Sequence, residues 1–263
     1  MKVVIVGCGY VGLVTGVCLA KLGHKIICVD VNSQIVNLIN SGISPIHEKG
    51  LQEILRKVIS SKNLKATCNL GEAMENADIS IIAVGTPSKN GSIDLSNLKT
   101  TIKDLSEHLH LAASFHVVCI KSTVVPGTTE KIMNDILKKN SYSKRYKNVG
   151  FAMNPEFLAE GSAVNDFLYP DRIIIGASDK ITIKKMKYLY NVFKGIDIIY
   201  TSLNTAEMIK YCSNAFFASI ISFSNEIANL CCKLDGVDAV EVLNALHLDK
   251  RLSPFISNKR IKP

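Results

Sequence analysis

The sequence lacks the features of a metal protein, a membrane protein or a secreted one. It has no tryptophan, only seven prolines and no membrane-length apolar run. Its eight cysteines form no C-x-x-C pair and no metal-ligand spacing with histidine, so we expect reduced thiols, most of them in the core, and no metal. The apolar start resembles a secretory signal, but Gly7, Gly9, Gly12 and Gly16 interrupt it. These absences predict a cytoplasmic protein that does not associate with a membrane.

The composition is that of a globular protein with a basic balance. Hydrophobic residues make up 47% and charged residues 21%, and the formal net charge is +8. Basic residues are spread along the chain, with one cluster from Lys138 to Lys147 that we interpret as a polar surface loop. The charge therefore suits phosphate-bearing ligands and does not indicate nucleic-acid binding.

The order of short β-branched runs and helical stretches predicts an α/β fold. We expect a Rossmann-like, doubly wound, mostly parallel sheet, followed by an all-helical segment. Strands are predicted at 2–6, 25–29, 79–84, 116–120, 149–153, 172–175 and 196–200. Helices are predicted at 11–22, 33–40, 95–109, 128–138, 181–193, 204–234 and 237–245.

The helical stretch from Asn204 to Leu234 contains neither proline nor glycine, which predicts one long helix. Because this stretch differs in character from what precedes it, we place a domain boundary near residue 200. Residues 1–200 are predicted to form a nucleotide-binding domain, and residues 201–263 a helical domain.

A G-x-G-x-x-G motif lies between the first predicted strand and helix. It consists of Gly7, Cys8, Gly9, Tyr10, Val11 and Gly12. Such glycines allow a tight turn, close approach to a pyrophosphate and packing of helix on strand. The second strand is followed by Asp30, where an acid bonds the ribose 2′-hydroxyl and repels a 2′-phosphate. The pattern predicts NAD rather than NADP.

Two further strand ends carry small and hydroxyl residues. The first comprises Gly85, Thr86 and Pro87, and the second contains Ser122 and Thr123. At carboxyl ends of parallel strands these residues would line the dinucleotide crevice. The alternative is an ordinary helix start with Ser122 or Thr123 as its N-cap.

The segment from Asn154 to Gly161 places Glu156 and Glu160 directly after a predicted buried strand. Pro155 makes the chain leave that strand, so both carboxylates lie at its carboxyl end. If a helical turn follows, the spacing of four puts them on one face. The alternative is a solvated helix start, where the dipole favours glutamate.

The predicted long helix carries Glu207, Lys210 and Asn214, of which the last two share a face. One interpretation is a surface pair between Glu207 and Lys210. The apolar neighbours Met208 and Phe216 favour a helix buried on several sides, with Lys210 facing a polar pocket.

Together these motifs resemble the UDP-glucose/GDP-mannose dehydrogenase family from Met1 to about Pro254. The resemblance rests on the sequences G-C-G-Y-V-G, V-G-T-P, K-S-T-V-V-P-G-T, N-P-E-F-L-A-E-G, P-D-R-I-I-I-G and A-E-M-I-K-Y-C-S-N-A-F. The fourth of these, followed by P-D-R, is similar to the branch that acts on UDP-glucose. The resemblance implies oxidation of C6 to a carboxylate with two NAD, through a thiohemiacetal and a thioester on a cysteine. It also implies a homodimer built on the 204–234 helix.

The resemblance also implies roles for individual residues. The implied catalytic residues are Thr123, Glu156, Glu160, Lys210 and Asn214. Cofactor contacts are implied for Gly7, Gly9, Tyr10, Val11, Gly12, Asp30, Gly85, Thr86, Pro87, Thr123 and Glu160. Substrate contacts are implied for Glu156, Phe157, Leu158, Lys210, Asn214 and Arg251, the last reaching the substrate of a neighbouring subunit. Glu156 is the implied base that activates the hydrolytic water.

The family's nucleophilic cysteine lies in a G-G-S-C-F-P-K-D motif that this sequence does not contain. Cys212 lies about 200° round the helix from Lys210 and is a poor substitute. We therefore expect a C-terminally truncated member that lacks the UDP-binding domain. It is either a UDP-glucose-oxidising enzyme completed by a longer or separate product, or a catalytically silent NAD-binding and dimerisation remnant. A β-hydroxyacid-type dehydrogenase is the third hypothesis.

Overall fold

The computed structural model describes residues 1–113, 115–139 and 148–249. Arg251 and most of the predicted basic loop lie outside the described residues. Within these ranges the main strands are β1 (Lys2–Val6), β2 (Lys25–Val29), β3 (Leu64–Thr67), β4 (Ile79–Ile82), β7 (His116–Ile120), β8 (Val149–Met153), β9 (Arg172–Ala177) and β10 (Asp197–Thr201). A small hairpin is formed by β5 (Ser88–Lys89) and β6 (Ser92–Ile93).

The main strands of the described part form one sheet in the order β10-β9-β8-β7-β4-β1-β2-β3. Its central strands are built from β-branched residues that are buried on both faces, such as Val3, Val4 and Ile5. All neighbouring pairs are parallel except β8 with β9. The prediction of a mostly parallel, doubly wound sheet is confirmed.

Helices cover both faces of this sheet. The helices of the described residues are α1 (Tyr10–Lys21), α2 (Ser33–Asn40), α3 (Leu51–Ser60), α4 (Leu70–Met74), α5 (Ser96–His108), α6 (Thr128–Lys139), α7 (Ala163–Leu168), α8 (Lys180–Leu189), α9 (Leu203–Cys231) and α10 (Ala239–His247). One face is packed by α1, α2, α3, α7 and α8, and the other by α4, α5, α6 and the start of α9.

The sequence-based assignment omitted α3, β3, α4, α7 and the hairpin. Helix α3 does carry a helical pattern, since Leu51, Leu55 and Val58 are its buried residues. The strand predicted to reach Val84 ends at Ile82, and the residues that follow it form a loop. All eight cysteines are free, and five of them are buried, as predicted.

Gly176 in β9 is in close contact with the start of α9. A Cβ atom there would lie 2.7 Å from the Ser202 carbonyl oxygen and 2.8 Å from the Ala206 Cβ. Both distances are too short for real atoms, so only glycine allows the helix to lie this close to the sheet.

The chain divides into two compact units, Met1–Tyr211 and Cys212–Pro263. The first unit contains the sheet. The described part of the second contains the end of α9 and helix α10, whose N-terminus is capped by Asp238. None of the described helices is long and apolar enough to cross a membrane. The boundary near residue 200 stays a prediction.

His116 at the start of β7 makes the stability of the sheet depend on pH. It is buried, and its ring nitrogens lie 2.8 Å from the Ala77 carbonyl oxygen and 3.0 Å from the Ser80 hydroxyl. Burial lowers the pKa of His116 to about 4. Since the unfolded chain binds this proton more readily, stability is complete above the ordinary pKa of about 6.5 and is lost as the pH falls through 4.

We therefore predict that His116→Gln reduces the loss of unfolding free energy between pH 6.5 and 4. His116 should account for about 3 kcal/mol of this loss, which follows from the difference between its pKa in the unfolded chain and its pKa in the folded chain. Urea unfolding at several pH values measures it. His110→Gln, at an exposed position, is the control and should keep the wild-type pH dependence. A parallel pH dependence of wild type and His116→Gln would contradict the prediction.

Candidate functional site

Five strand ends meet at one edge of the sheet. Strands β8, β7, β4, β1 and β2 are neighbours and run parallel, so the loops that follow them leave the sheet on the same side. These loops carry the predicted residues of the dinucleotide turn, Asp30, the two small-residue segments and the segment 154–161. The predicted residues therefore lie along one edge of the sheet.

The dinucleotide turn has the geometry that a pyrophosphate needs. A Cβ on Gly12 would lie 1.8 Å from the Gly7 carbonyl oxygen, whereas one on Gly9 would meet nothing within 4 Å. Helix α1 therefore packs tightly on the turn while the Gly9 side stays open. Its first turn, which contains Tyr10 and Val11, has no side-chain cap and no acidic residue, which leaves its positive end to an anion.

Asp30 is anchored to this turn. One carboxylate oxygen accepts the Cys8 N–H at 2.8 Å, and the other accepts the Asn32 N–H at 2.9 Å. The acid after β2 is thus fixed beside the phosphate turn, where the residues fit the adenosine ribose of a dinucleotide.

The two small-residue segments are joined by hydrogen bonds. The Thr86 hydroxyl donates to the Thr123 carbonyl oxygen at 2.8 Å, and the Ser122 hydroxyl donates to the Val84 carbonyl oxygen at 2.6 Å. Gly85 and Pro87 are exposed beside them. The N-cap interpretation of Ser122 and Thr123 is wrong, because α6 begins only at Thr128.

The segment 154–161 is irregular and contains no helical turn. Helix α7 begins only at Ala163, so the placement of Glu156 and Glu160 on one helical face is wrong, as is the solvated helix start. The two carboxylates differ in surroundings: Glu156 is half-buried and Glu160 is exposed. Solvent therefore reaches the Glu160 carboxylate more freely than the Glu156 carboxylate.

Glu156 forms an ion pair with Lys210 of α9, with 2.8 Å between Oε1 and Nζ. The side chains are only 13% and 8% exposed, so solvent screens the pair weakly. The other Glu156 oxygen accepts the Leu158 N–H at 2.7 Å. The prediction that Lys210 is buried is confirmed, and the surface pair with Glu207 is wrong.

Glu207 instead holds the N-terminus of α6. It is fully buried and accepts hydrogen bonds from the Gly127 N–H at 2.6 Å and from the Thr129 N–H at 2.8 Å and hydroxyl at 2.5 Å. A carboxylate at a helix N-terminus is favoured by the free N–H groups and the dipole. The first turns of α9 thus fix the loop after β7 through Glu207 and the loop after β8 through Lys210.

A cavity of about 330 Å³ lies beside the loop after β8. Its walls include Glu156, Phe157, Leu158 and Arg172, with the Arg172 guanidinium 4.3 Å from the centre of the Phe157 ring. The Lys210 amine lies 5.4 Å from the same ring. The predicted substrate contacts Glu156, Phe157, Leu158 and Lys210 are therefore brought together.

Lys121 is a charged residue of this cavity that the sequence interpretation missed. It is 4% exposed, and its amine lies 3.1 Å from the Asn154 side-chain oxygen, which also accepts the Tyr190 hydroxyl at 2.6 Å. Burial lowers the pKa of Lys121, partly offset by the nearby Glu156 carboxylate. The available signal was a lysine that directly follows the apolar run 117–120.

Two predicted substrate contacts keep the status of predictions. Asn214 is exposed in the second unit, so its role stays a prediction, as does that of Arg251. Met208, Phe216 and Phe217 are 51–61% exposed, so the expectation of a helix buried on several sides is wrong for the single chain. Among the described residues no group of histidine, cysteine and carboxylate side chains is placed to hold a metal ion.

Comparison with known proteins agrees with this geometry. Residues 1–194 match the NAD binding domain of the UDP-glucose/GDP-mannose dehydrogenase family, and residues 204–263 match its central domain. A UDP-glucose 6-dehydrogenase of Haloferax volcanii is 40% identical over 260 residues, covering 96% of this chain and 59% of that protein. A GDP-mannose 6-dehydrogenase of Pseudomonas syringae is 39% identical over 254 residues, covering 96% of this chain and 58% of that protein.

A solved structure is similar over the whole chain. It is a ternary complex of GDP-mannose dehydrogenase from Pseudomonas aeruginosa, with a TM-score of 0.91 and 36% identity, covering 100% of this chain and 60% of that one. The chain thus spans somewhat more than half the length of the relatives it matches. The dinucleotide turn belongs to an NAD-binding domain, and the chain belongs to the UDP-glucose/GDP-mannose dehydrogenase family.

Proposed function

We propose that the chain is the NAD-binding and sugar-contacting part of an enzyme that oxidises C6 of UDP-glucose to the carboxylate of UDP-glucuronate. The observation that carries the proposal is the buried pair of Glu156 and Lys210, held at the strand edge that also carries the dinucleotide turn. We choose UDP-glucose rather than GDP-mannose as the substrate because the segment 154–161, followed by Asp171 and Arg172, resembles the branch of the family that acts on UDP-glucose. The similarity to proteins named for both substrates makes the choice an outcome of the test.

The residues that follow β7 and β8 and those on α9 suit the oxidation of the primary hydroxyl group of a sugar. Bound NAD supplies the hydride acceptor. Lys210 offers a buried positive charge where an alkoxide or another oxyanion develops, and such a preorganised charge stabilises it. Asn214 is proposed as a second donor to the sugar hydroxyls. Thr123 and Glu160 are proposed to lie near the nicotinamide and the reacting carbon.

Glu156 is proposed as the base that activates the hydrolytic water. Its carboxylate is held by Lys210 and by the Leu158 N–H, so its orientation is fixed before substrate binds. The backbones of Phe157 and Leu158 are proposed to hold the nucleotide sugar. Arg251 is proposed to reach the substrate of a neighbouring subunit.

We also propose a cytoplasmic homodimer built on α9. Phe216, Phe217, Ile220, Ile221 and Phe223 are 38–62% exposed along this helix. Apolar patches of this kind on a helix are typical of interfaces. Sedimentation velocity of the wild type decides the point, and a purely monomeric species would contradict it. The cytoplasmic location is proposed because the eight cysteines are free, which fits a reducing compartment.

The role of Asp30 in NAD binding can be tested directly. We predict that Asp30→Ala weakens NAD affinity about tenfold or more, because a charge-assisted bond to the ribose and the anchor of the Cys8 N–H are both lost. Titration calorimetry with NAD and NADP measures the affinity, and the preference for NAD should fall too. Asp104→Ala, an exposed acid on α5, is the control. Unchanged NAD affinity would contradict the ribose role.

The pair of Glu156 and Lys210 should make a large contribution to stability. We predict that Lys210→Met lowers the unfolding free energy by about 3–5 kcal/mol, since it leaves a desolvated carboxylate without its partner. Lys210→Met combined with Glu156→Gln should cost less than the sum of the two single changes. Urea unfolding of the four proteins gives the coupling energy.

The matched control is the exposed pair of Lys65 and Glu72, which are 55% and 47% exposed. Its coupling energy should stay below about 1 kcal/mol. Equal coupling energies for the two pairs would show that the Lys210 pair is not desolvated.

The activity is tested by incubating the chain with NAD and each nucleotide sugar while NADH absorbance is followed. Two NADH per UDP-glucose support the proposal, and oxidation of GDP-mannose alone would reassign the substrate. NAD binding without turnover would indicate the catalytically silent remnant, or a need for a further chain. Oxidation of small 3-hydroxyacids would instead support a β-hydroxyacid dehydrogenase.

A further inference from the structure

Glu48 is a buried carboxylate outside the residues assigned so far. It lies in the loop between α2 and α3 and is 5% exposed, while its neighbours His47 and Lys49 are exposed. Within the described part of the chain, no lysine, arginine or histidine forms an ion pair with it. Burying a carboxylate without a cation is costly, so its hydrogen bonds must hold it there.

Those hydrogen bonds come from two separate motifs. One Glu48 oxygen accepts the Tyr10 hydroxyl and also the Gly161 N–H, the latter at 2.9 Å. The Gly161 N–H lies 3.2 Å from the Tyr10 oxygen as well, and the Tyr10 hydroxyl lies 3.3 Å from the Ala159 carbonyl oxygen. A single carboxylate oxygen thus joins the dinucleotide turn to the end of the segment 154–161.

The protonation states of Tyr10 and Glu48 make Tyr10 the donor and Glu48 the acceptor. Burial and the bond to Glu48 raise the pKa of Tyr10 to about 12, so the hydroxyl keeps its proton. Burial opposes ionisation of Glu48, but the Tyr10 hydroxyl and the backbone N–H groups around it, that of Gly161 first, outweigh burial and lower the pKa of that carboxyl. A phenol that donates to an ionised carboxylate is one of the stronger hydrogen bonds in proteins.

The position of Tyr10 makes this contact relevant to the cofactor. Tyr10 is the first residue of α1, directly after Gly9, where the open side of the turn lies. Gly161 directly follows Glu160. A ligand that orders the start of α1 therefore orders Tyr10 and, through Glu48, the backbone next to Glu160.

We propose that Glu48 is a positioning residue that fastens the Ala159–Gly161 backbone to the dinucleotide turn, so that bound NAD orders Glu160. The link between NAD at the turn and the order of Glu160 requires only that NAD binds. Its relevance to catalysis rests on the proposed function, in which Glu160 lies near the reacting carbon. Glu48 itself touches neither the cofactor nor the sugar in this role.

Hydrogen–deuterium exchange with and without NAD tests the proposal on the intact chain. In the wild type, NAD should slow exchange both in the turn 7–12 and in the segment 157–162. In Glu48→Gln the turn should remain protected by NAD, while exchange in 157–162 becomes about tenfold faster than in the NAD-bound wild type. The factor reflects the loss of a charge-assisted hydrogen bond.

Further variants separate positioning from general stability. Tyr10→Phe removes only the hydroxyl and should release the same segment, and combining it with Glu48→Gln should add no further release. Glu53→Gln, an exposed acid on α3, should behave as wild type. Additive effects of the two site changes would indicate a merely structural role and overturn the proposal.

Two other outcomes would also overturn it. If NAD protects the turn and the segment 157–162 equally in wild type and Glu48→Gln, then Glu48 does not transmit the order. If NAD fails to protect the turn in the wild type, then NAD binding itself fails, and the coupling fails with it. Tyr10→Phe provides the same readout should Glu48→Gln not fold.

Discussion

The parallel register of five neighbouring strands is the constraint on which the site depends. Parallel pairing sends the chain out of β1, β2, β4, β7 and β8 at the same edge, so segments distant in sequence become neighbours. The buried aliphatic residues of these strands pack in the cores on both faces of the sheet and so hold it together. That apolar core sets where the polar residues that directly follow these strands lie, and hydrogen bonds then fix their orientation.

Helix α9 connects the loops at this edge. Within one helical turn, Glu207 binds the N-terminus of α6 and Lys210 binds Glu156. The two residues have opposite charges and different tasks, although their spacing on a helix suggests a mutual pair. Tertiary partners decide between these possibilities: the N–H groups at the start of α6 satisfy Glu207, and the Glu156 carboxylate satisfies Lys210.

The strands of the main sheet other than β3, and the longest helices, were predictable, because β-branched runs and helical periodicity report burial directly. The glycine turn and Asp30 were also predictable, since backbone geometry restricts the residues allowed there. The relation of Glu156 to Glu160 was not, because Pro155 and the following residues form an irregular loop rather than a helical turn. Glu48, Lys121 and Glu207 gave little signal, because their partners lie 33 to 113 residues away in sequence.

The contact at Gly176 has a consequence for how this site can vary. Because no side chain fits between β9 and the start of α9, the separation of helix and sheet is set at its minimum. Lys210 lies one turn beyond Ala206, so the reach of its amine toward Glu156 follows from that separation. Gly176 does not line the cavity, yet its lack of a side chain thus sets the distance between the Lys210 amine and the Glu156 carboxylate.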